Sequence, residues 1–332
     1  MNVRDYLSDD GMVVLAVCSA FALPEAGAAG GATPFTLSEW NKLARQIQDS
    51  PLKEPAALQG LSAADLGREL AILPGDAERI AALLGRSGRL VLELEGLFSR
   101  GMWALTRVDE LYPKRLRDTL KHQAPTVLFG AGDSRLLGRG GVAVIGSRNI
   151  DQAGTAFALE VGRKAAAAGF AVVSGGARGT DRLAMGAALE ADGKVLGVLA
   201  DSLEKTIRQP DLRQLLLDGQ LVLATPYVPT AGFTVGGAMG RNKLIYGLAD
   251  FAVVVSSDFQ TGGTWAGAVE ALKAGWCPVF ARDAAEVPKG NRELLKMGAA
   301  PVTAGDLAAA GDLGAWLREH ARQKPVERDL FG

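Results

Sequence analysis

The stretch FAVVSGGARGTD, Phe170–Asp181, is a short apolar run that stops at two glycines and restarts as an alanine-rich helical pattern after Thr180 and Asp181. GVAVIGSRN, Gly141–Asn149, does the same one unit earlier, with Gln152–Ala168 as its helix. A continuous apolar run bounded by glycine suits a strand buried on both faces. Its alternation with longer helical stretches predicts a parallel sheet covered by helices on each side. Extended outward, the pattern predicts strands at Val142–Ile145, Phe170–Ser174, Val195–Leu199, Leu221–Ala224, Phe251–Val255 and Pro278–Ala281. It predicts helices at Gln152–Ala168, Asp181–Ala191, Ala238–Leu248 and Trp265–Ala274, and Gly169 and Gly275 stand where helix-closing glycines belong. The expected fold class is α/β: an extended Rossmann-like, doubly wound, mostly parallel sheet within residues 106–300.

A small helical region, residues 1–105, is expected before it. Thr36-Leu-Ser-Glu39 has the form of a capping box, and Leu66, Leu70, Leu73, Ile80, Leu83 and Leu84 recur at helical spacing, interrupted at Pro74-Gly75. Met12–Leu23 is apolar but too short to span a bilayer. Arg4 set against Asp5, Asp9 and Asp10 denies it the positive flank of a signal peptide, so it is expected to be a buried helix. Residues 25–34 are expected to form a loop, Leu105–Gly132 a transition, and 301–332 a short helical end with a polar tail. A soluble, cytoplasmic protein without a membrane partner is the expectation.

The 332 residues carry 36 Lys and Arg against 37 Asp and Glu, which excludes a uniformly basic nucleic-acid coat but not a local patch. Lys114, Arg115, Arg117, Lys121, Arg135 and Arg139 face only Asp118 and Asp133; they form either a basic rim beside a pocket or a solvated surface. Two cysteines, Cys18 and Cys277, support no disulfide framework, and with only His122 and His320 no zinc ligand set forms. No cofactor is expected.

In an open α/β sheet, ligands bind beyond the carboxyl ends of the strands. The turns there are Gly146-Ser147-Arg148, then Ser174-Gly175-Gly176-Ala177-Arg178-Gly179-Thr180-Asp181, then Arg241-Asn242-Lys243 after Gly240, then Gly262-Gly263-Thr264. Each alone reads equally well as a tight turn, a helix cap or a solvated cation. Together they would gather amides, hydroxyls and guanidinium groups at one edge, and such groups bind phosphate. Neither the dinucleotide fingerprint nor a Walker loop occurs in these turns. The chemistry points to an oxyanion without choosing between a polymer and a mononucleotide.

AVIGSRN, SGGARGTD, GRNKLIYGLAD and the Gly-Gly-Thr helix start, in that order, closely resemble the DprA/Smf family of DNA-processing proteins. VDELYPKRL (Val108–Leu116) and PTVLFGAGDSRLL (Pro125–Leu137) extend the resemblance upstream. It implies a non-catalytic protein that binds single-stranded DNA, assists loading of a RecA-type recombinase in recombination and transformation, and forms a homodimer. It also implies that Arg148, Arg241 and Lys243 contact DNA phosphates, with Ser147, Ser174, Gly175 and Gly176 lining the same pocket. Asp181 matches the family's GxD position. Met185 stands where the family usually has His, and the usual Tyr-Pro pair is lost among Glu204–Pro210. Aromatic candidates for base stacking are Tyr227, Phe233, Tyr246 and Trp265, of which Tyr246 and Trp265 are expected in the core. The tail, Glu327-Arg328-Asp329-Leu330-Phe331, is similar to a sliding-clamp-binding peptide; a frayed terminus is the other reading. The alternative is an enzyme or nucleotide sensor: the Gly-Gly-Thr turn leading to Glu270 is similar to that of LOG-type nucleotide phosphoribohydrolases. There Glu270 would act at a ribose and Arg148 or Arg178 would hold the 5′-phosphate.

Overall fold

A computed structural model describes residues 2–23 and 32–321. Among the described residues nine strands form one sheet: β1 (Met102–Thr106), β2 (Val127–Ala131), β3 (Val142–Gly146), β4 (Val172–Ser174), β5 (Val195–Val198), β6 (Leu221–Thr225), β7 (Phe251–Ser256), β8 (Val279–Arg282) and β9 (Ala300–Val302). Their order is β1-β2-β6-β5-β4-β3-β7-β8-β9. All pairings from β6 to β9 are parallel, and β2 joins β6, and β1 joins β2, antiparallel. The chain therefore steps from β3 to β6 in one direction and returns to run from β7 to β9 in the other. Right-handed crossovers put the helices Gln152–Ala167 and Thr180–Glu190 on one face and Val235–Leu248 and Gly262–Ala274 on the other. Such a reversal opens a crevice at the carboxyl ends of the strands.

The doubly wound core is the one expected, and it is larger. β1 falls at the end of the region expected to be helical, β2 in the expected transition, and β9 at the start of the expected helical tail. Every residue of β1 and β2 is buried. Their pairing is specific: Trp103 lies opposite Gly130, and a Cβ on Gly130 would collide with the Trp103 ring.

A buried helix forms, as expected, but over Asp9–Cys18 and not Met12–Leu23: it is capped at Ser19, and Ser19–Leu23 is turn and coil. Leu15 and Ala16 join the core of the sheet, whereas Val13, Val14 and Val17 join a second core built on Trp40, Leu43, Ile47, Leu66 and Ile80. A helix wedged between two cores is apolar on all sides. Leu73 departs from its expected place: it is 74% exposed, because Ala71 closes one helix in the left-handed region (φ 52°) and Pro74 opens the next. The loop expected at 25–34 lies, up to residue 31, outside the described residues, as does the tail holding Asp329, Leu330 and Phe331. No helix among the described residues is long and apolar enough to cross a membrane.

The capping box forms: the Thr36 amide donates to Glu39 Oε2 (2.7 Å), and the Glu39 amide to Thr36 Oγ1 (3.3 Å). Arg79 donates to Glu39 Oε1 (2.9 Å) and to the carbonyls of Thr33 and Pro34. Arg79, then the Thr36 amide, hold the Glu39 carboxyl at about 2 instead of 4.5. A depressed carboxyl pKa contributes stability above its unfolded value that is lost as pH falls through the folded one. Melting curves of wild type and Glu39→Gln should therefore diverge above pH 4.5 and converge towards pH 2; a constant difference across that range would refute the assignment.

Candidate functional site

Three of the expected glycine-rich turns meet at the carboxyl edge of the sheet; the fourth segment, Gly240–Lys243, is no turn but lies within the helix Val235–Leu248, and each segment is tied to the next. The Ser147 amide donates to the Ser256 carbonyl (2.8 Å), fixing the turn after β3 against the end of β7. The Thr180 amide and hydroxyl both donate to the Ser147 carbonyl, at 3.3 and 3.1 Å. This approach demands glycine. Gly179 has φ +89°, and a Cβ there would lie 2.7 Å from the Arg148 carbonyl carbon; one on Gly146 would lie 2.9 Å from Thr180 Cβ. The Arg241 guanidinium packs on Gly175, where a Cβ would lie 2.8 Å from Arg241 Cζ. Asn242 Nδ2 donates to the Gly263 carbonyl (3.1 Å), bracing the last turn.

Several expected donors are occupied by the protein itself. The Ser174 hydroxyl is fully buried and donates to the Val144 carbonyl (2.7 Å), so it supports β3 and does not line a pocket. The Gly175 and Ala177 amides donate to Asp181 Oδ2, at 3.1 and 3.3 Å. Asp181 thus shapes the loop from beneath. Its burial pushes the carboxyl pKa up, opposed by the charge of Arg241 and the amides it accepts. Arg241 is 6% exposed; it donates through Nη1 to the Val198 carbonyl, and its Nε has no partner in the structure. Burial lowers its pKa, with Asp181 and Asp201 opposing.

Above this layer lies a cavity of about 600 Å³. Arg148, Arg178, Arg182 and Arg241 line it, with Asp201 as the only acid among the described residues of the wall. Arg148, Arg178 and Arg182 are solvent-exposed, and Arg182 Nε also donates to the Gly176 carbonyl (3.3 Å). The floor is apolar: Met185, Leu189, Leu199, Leu212, Leu221 and Leu223. Phe233, 53% exposed, stands at the mouth with Arg148 Cζ 5.9 Å from its ring centroid. Of the other aromatics, Tyr246 is buried, Trp265 packs on Phe259 with centroids 5.0 Å apart, and Tyr227 donates its hydroxyl to the Gly237 carbonyl (2.7 Å).

Some expected members lie elsewhere. Lys243 lines a different cavity, with Cys18, Pro125 and Val228. Gly262, Gly263 and Thr264 start a helix outside the arginine-lined wall. Glu270 is exposed and faces the charge of Lys243, not Arg148 or Arg178, so the carboxylate-plus-arginine arrangement of a phosphoribohydrolase is not formed. Half of the basic segment, Arg115, Arg135 and Arg139, is misplaced for a rim. Arg115 pairs with Asp250 at the start of β7, and Arg135 and Arg139 follow the end of antiparallel β2, all at the opposite edge of the sheet. Arg182, absent from the expected set, is a gain.

Fold and site together define an open, doubly wound α/β protein with a basic, apolar-floored cavity at its strand ends. A family model described as DNA recombination-mediator protein A matches residues 103–310, starting inside β1. The chain is 30% identical over 303 residues to a putative DNA processing protein DprA of Mycobacterium tuberculosis, covering 82% of this chain and 74% of that one. It is 27% identical over 158 residues to DNA processing protein DprA of Bacillus subtilis, covering 46% and 52% of the two chains. Among solved structures it is similar to DprA of Streptococcus pneumoniae (TM-score 0.60, 23% identity, 88% of this chain and 100% of that one). It also resembles DNA processing protein A of Helicobacter pylori (TM-score 0.54, 24% identity, 66% and 97%). The chain belongs to the DNA recombination-mediator protein A family, the DprA proteins that process DNA.

Proposed function

We propose that this protein binds single-stranded DNA in the arginine-lined cavity and acts there as a recombination mediator. Arg148, Arg178 and Arg182 hold successive phosphates, and Arg241 supplies a fixed positive charge beneath them. Phe233 and the apolar floor receive unpaired bases, which a duplex keeps stacked away. The observation that carries the proposal is the convergence of four arginines and one exposed phenylalanine on a single apolar-floored cavity. The Helicobacter pylori relative is described as having a single-stranded DNA binding mode, which supports the same ligand here. Loading of a RecA-type recombinase and assembly as a homodimer in the cytoplasm belong to this proposal. So does a sliding-clamp contact through Asp329, Leu330 and Phe331.

A fluorescence-anisotropy titration tests it, comparing single strands, duplex and nucleoside monophosphates at two ionic strengths. Single strands should bind best, and more weakly at high salt. Arg148→Ala and Arg178→Ala should each weaken binding about threefold without sequence preference. Each lost phosphate contact lowers the log–log salt slope by roughly 0.7. Unchanged affinity and slope in the folded double variant would refute the DNA assignment.

A further inference from the structure

Lys243 is the one cation of the GRNK segment, within the helix Val235–Leu248, that the arginine-lined cavity leaves unused. It lines a second cavity of about 490 Å³, where the N-terminal helical region meets the sheet. That volume lies within the range of small-molecule sites, about 300–1,000 Å³. The walls are largely apolar: Leu37, Val127, Pro226, Val228, Ala231 and Leu244.

The polar groups there are mostly occupied. The Tyr227 hydroxyl is donated to Gly237, and Ser19 Oγ accepts from the Phe21 amide at 3.0 Å. Arg107, whose charge acts on Cys18, is held by Asn41 and the Ala124 carbonyl. Lys243 differs. Its ammonium makes no hydrogen bond or ion pair among the described residues, and burial lowers its pKa, with Glu270 only a partial counterweight from outside the wall. A half-buried ammonium beside an apolar chamber has lost part of its water without gaining an anion in contact.

We infer that this second cavity binds a small amphipathic monoanion, an apolar or aromatic body carrying one carboxylate or sulfonate, with Lys243 as the counter-charge. A dianion or phosphate ester would leave charge uncompensated against apolar walls, and a neutral hydrocarbon would leave the ammonium unpaired. The inference stands independently of DNA binding, since the site shares no lining residue with the arginine cavity.

The probe is 1-anilinonaphthalene-8-sulfonate, titrated against the full-length protein by fluorescence and displaced with decanoate or 1-decanol. Wild type should bind one equivalent, displaced by decanoate at least fivefold more effectively than by the alcohol. Lys243→Met should weaken both anions at least fivefold, and Ala231→Phe, which fills the cavity from a loop, should do the same. Arg241→Met should leave them unchanged. Equal displacement by acid and alcohol would overturn the inference, as would probe binding lost in Arg241→Met but kept in Lys243→Met and Ala231→Phe, or no probe binding at all.

Discussion

A Gly175→Val variant is expected to keep its fold and lose at least tenfold in affinity for single-stranded oligonucleotides. Gly175 is not in the left-handed region, so its backbone accepts a side chain. What it cannot accept is an atom where the Arg241 guanidinium lies: a Cβ would stand 2.8 Å from Cζ and overlap Nη1. The guanidinium ends a flexible side chain, so it yields before the loop does. Displacement takes it off the Val198 carbonyl and away from Asp181, whose buried carboxylate has Arg241 as its chief opposing charge. The cavity then loses its fixed cation, and the loop loses the charge balance that keeps Asp181 bound to the Gly175 and Ala177 amides. A tenfold loss corresponds to about 1.4 kcal/mol, within the range of one charge-assisted contact. Arg241→Met should lose a similar amount, and the double variant little more than either single, because both remove the same group. Wild-type affinity in Gly175→Val, with a circular-dichroism melt near that of wild type, would show that Arg241 plays no part in binding.

Much of this was legible in the sequence, for a definite reason. β3 to β8 are apolar runs that end at glycine or at a polar turn, and one dimension suffices to recognise them. β1 and β2 carry the same signal, since MWALT and VLFGA are short apolar runs that end at Arg107 and Gly132, and what one dimension does not show is their pairing, with Trp103 lying across Gly130. β9 is a short edge strand whose middle residue, Pro301, is exposed, so it shows little apolar signal. The meeting of the four segments followed from the fold class, but which donors stay free, and that Gly240–Lys243 is helix and not a turn, did not. Ser174 and Asp181 are committed to internal hydrogen bonds that only the folded loop reveals. Helical phase held more information than was used. Arg241 and Lys243 stand two positions apart on a helix, about 200° around its axis, so they face different cavities. By the same phase, Arg182, Met185 and Leu189 share one face of the helix Thr180–Glu190, and all three line the arginine cavity.

Asp109→Ala should cost about 3–5 kcal/mol of stability, the range for leaving a buried charged hydrogen-bond network unpartnered. Asp109 is 3% exposed and joins the N-terminal helical region to the sheet. Its Oδ1 accepts from the Ser8 amide (2.8 Å) and hydroxyl (2.7 Å); its Oδ2 accepts from the Thr106 amide (2.7 Å) and hydroxyl (2.6 Å). Ser8 caps the helix Asp9–Cys18, its Oγ accepting from the Gly11 amide (3.0 Å), and Thr106 ends β1. One carboxylate therefore satisfies the start of the helix between the two cores and the end of the outermost strand. Alanine strands the Thr106 amide and hydroxyl in the core, where Thr106 is fully buried, and removes the acceptor of the Ser8 amide and hydroxyl at the exposed start of the helix. Asparagine keeps one acceptor oxygen but turns an NH₂ towards donors, so Asp109→Asn should recover only part of the loss. Gly11→Ala offers an independent approach to the same contact, because a Cβ at Gly11 would press into the carboxylate, 2.8 Å from Asp109 Cγ. Combined with Asp109→Ala, Gly11→Ala should add little, since the group it strikes is gone. Urea unfolding followed by tryptophan fluorescence measures all four variants. Full additivity, or a loss below about 1 kcal/mol for Asp109→Ala, would mean that the two cores are held together by apolar contact through Leu15, Ala16 and Val17 and not by this carboxylate.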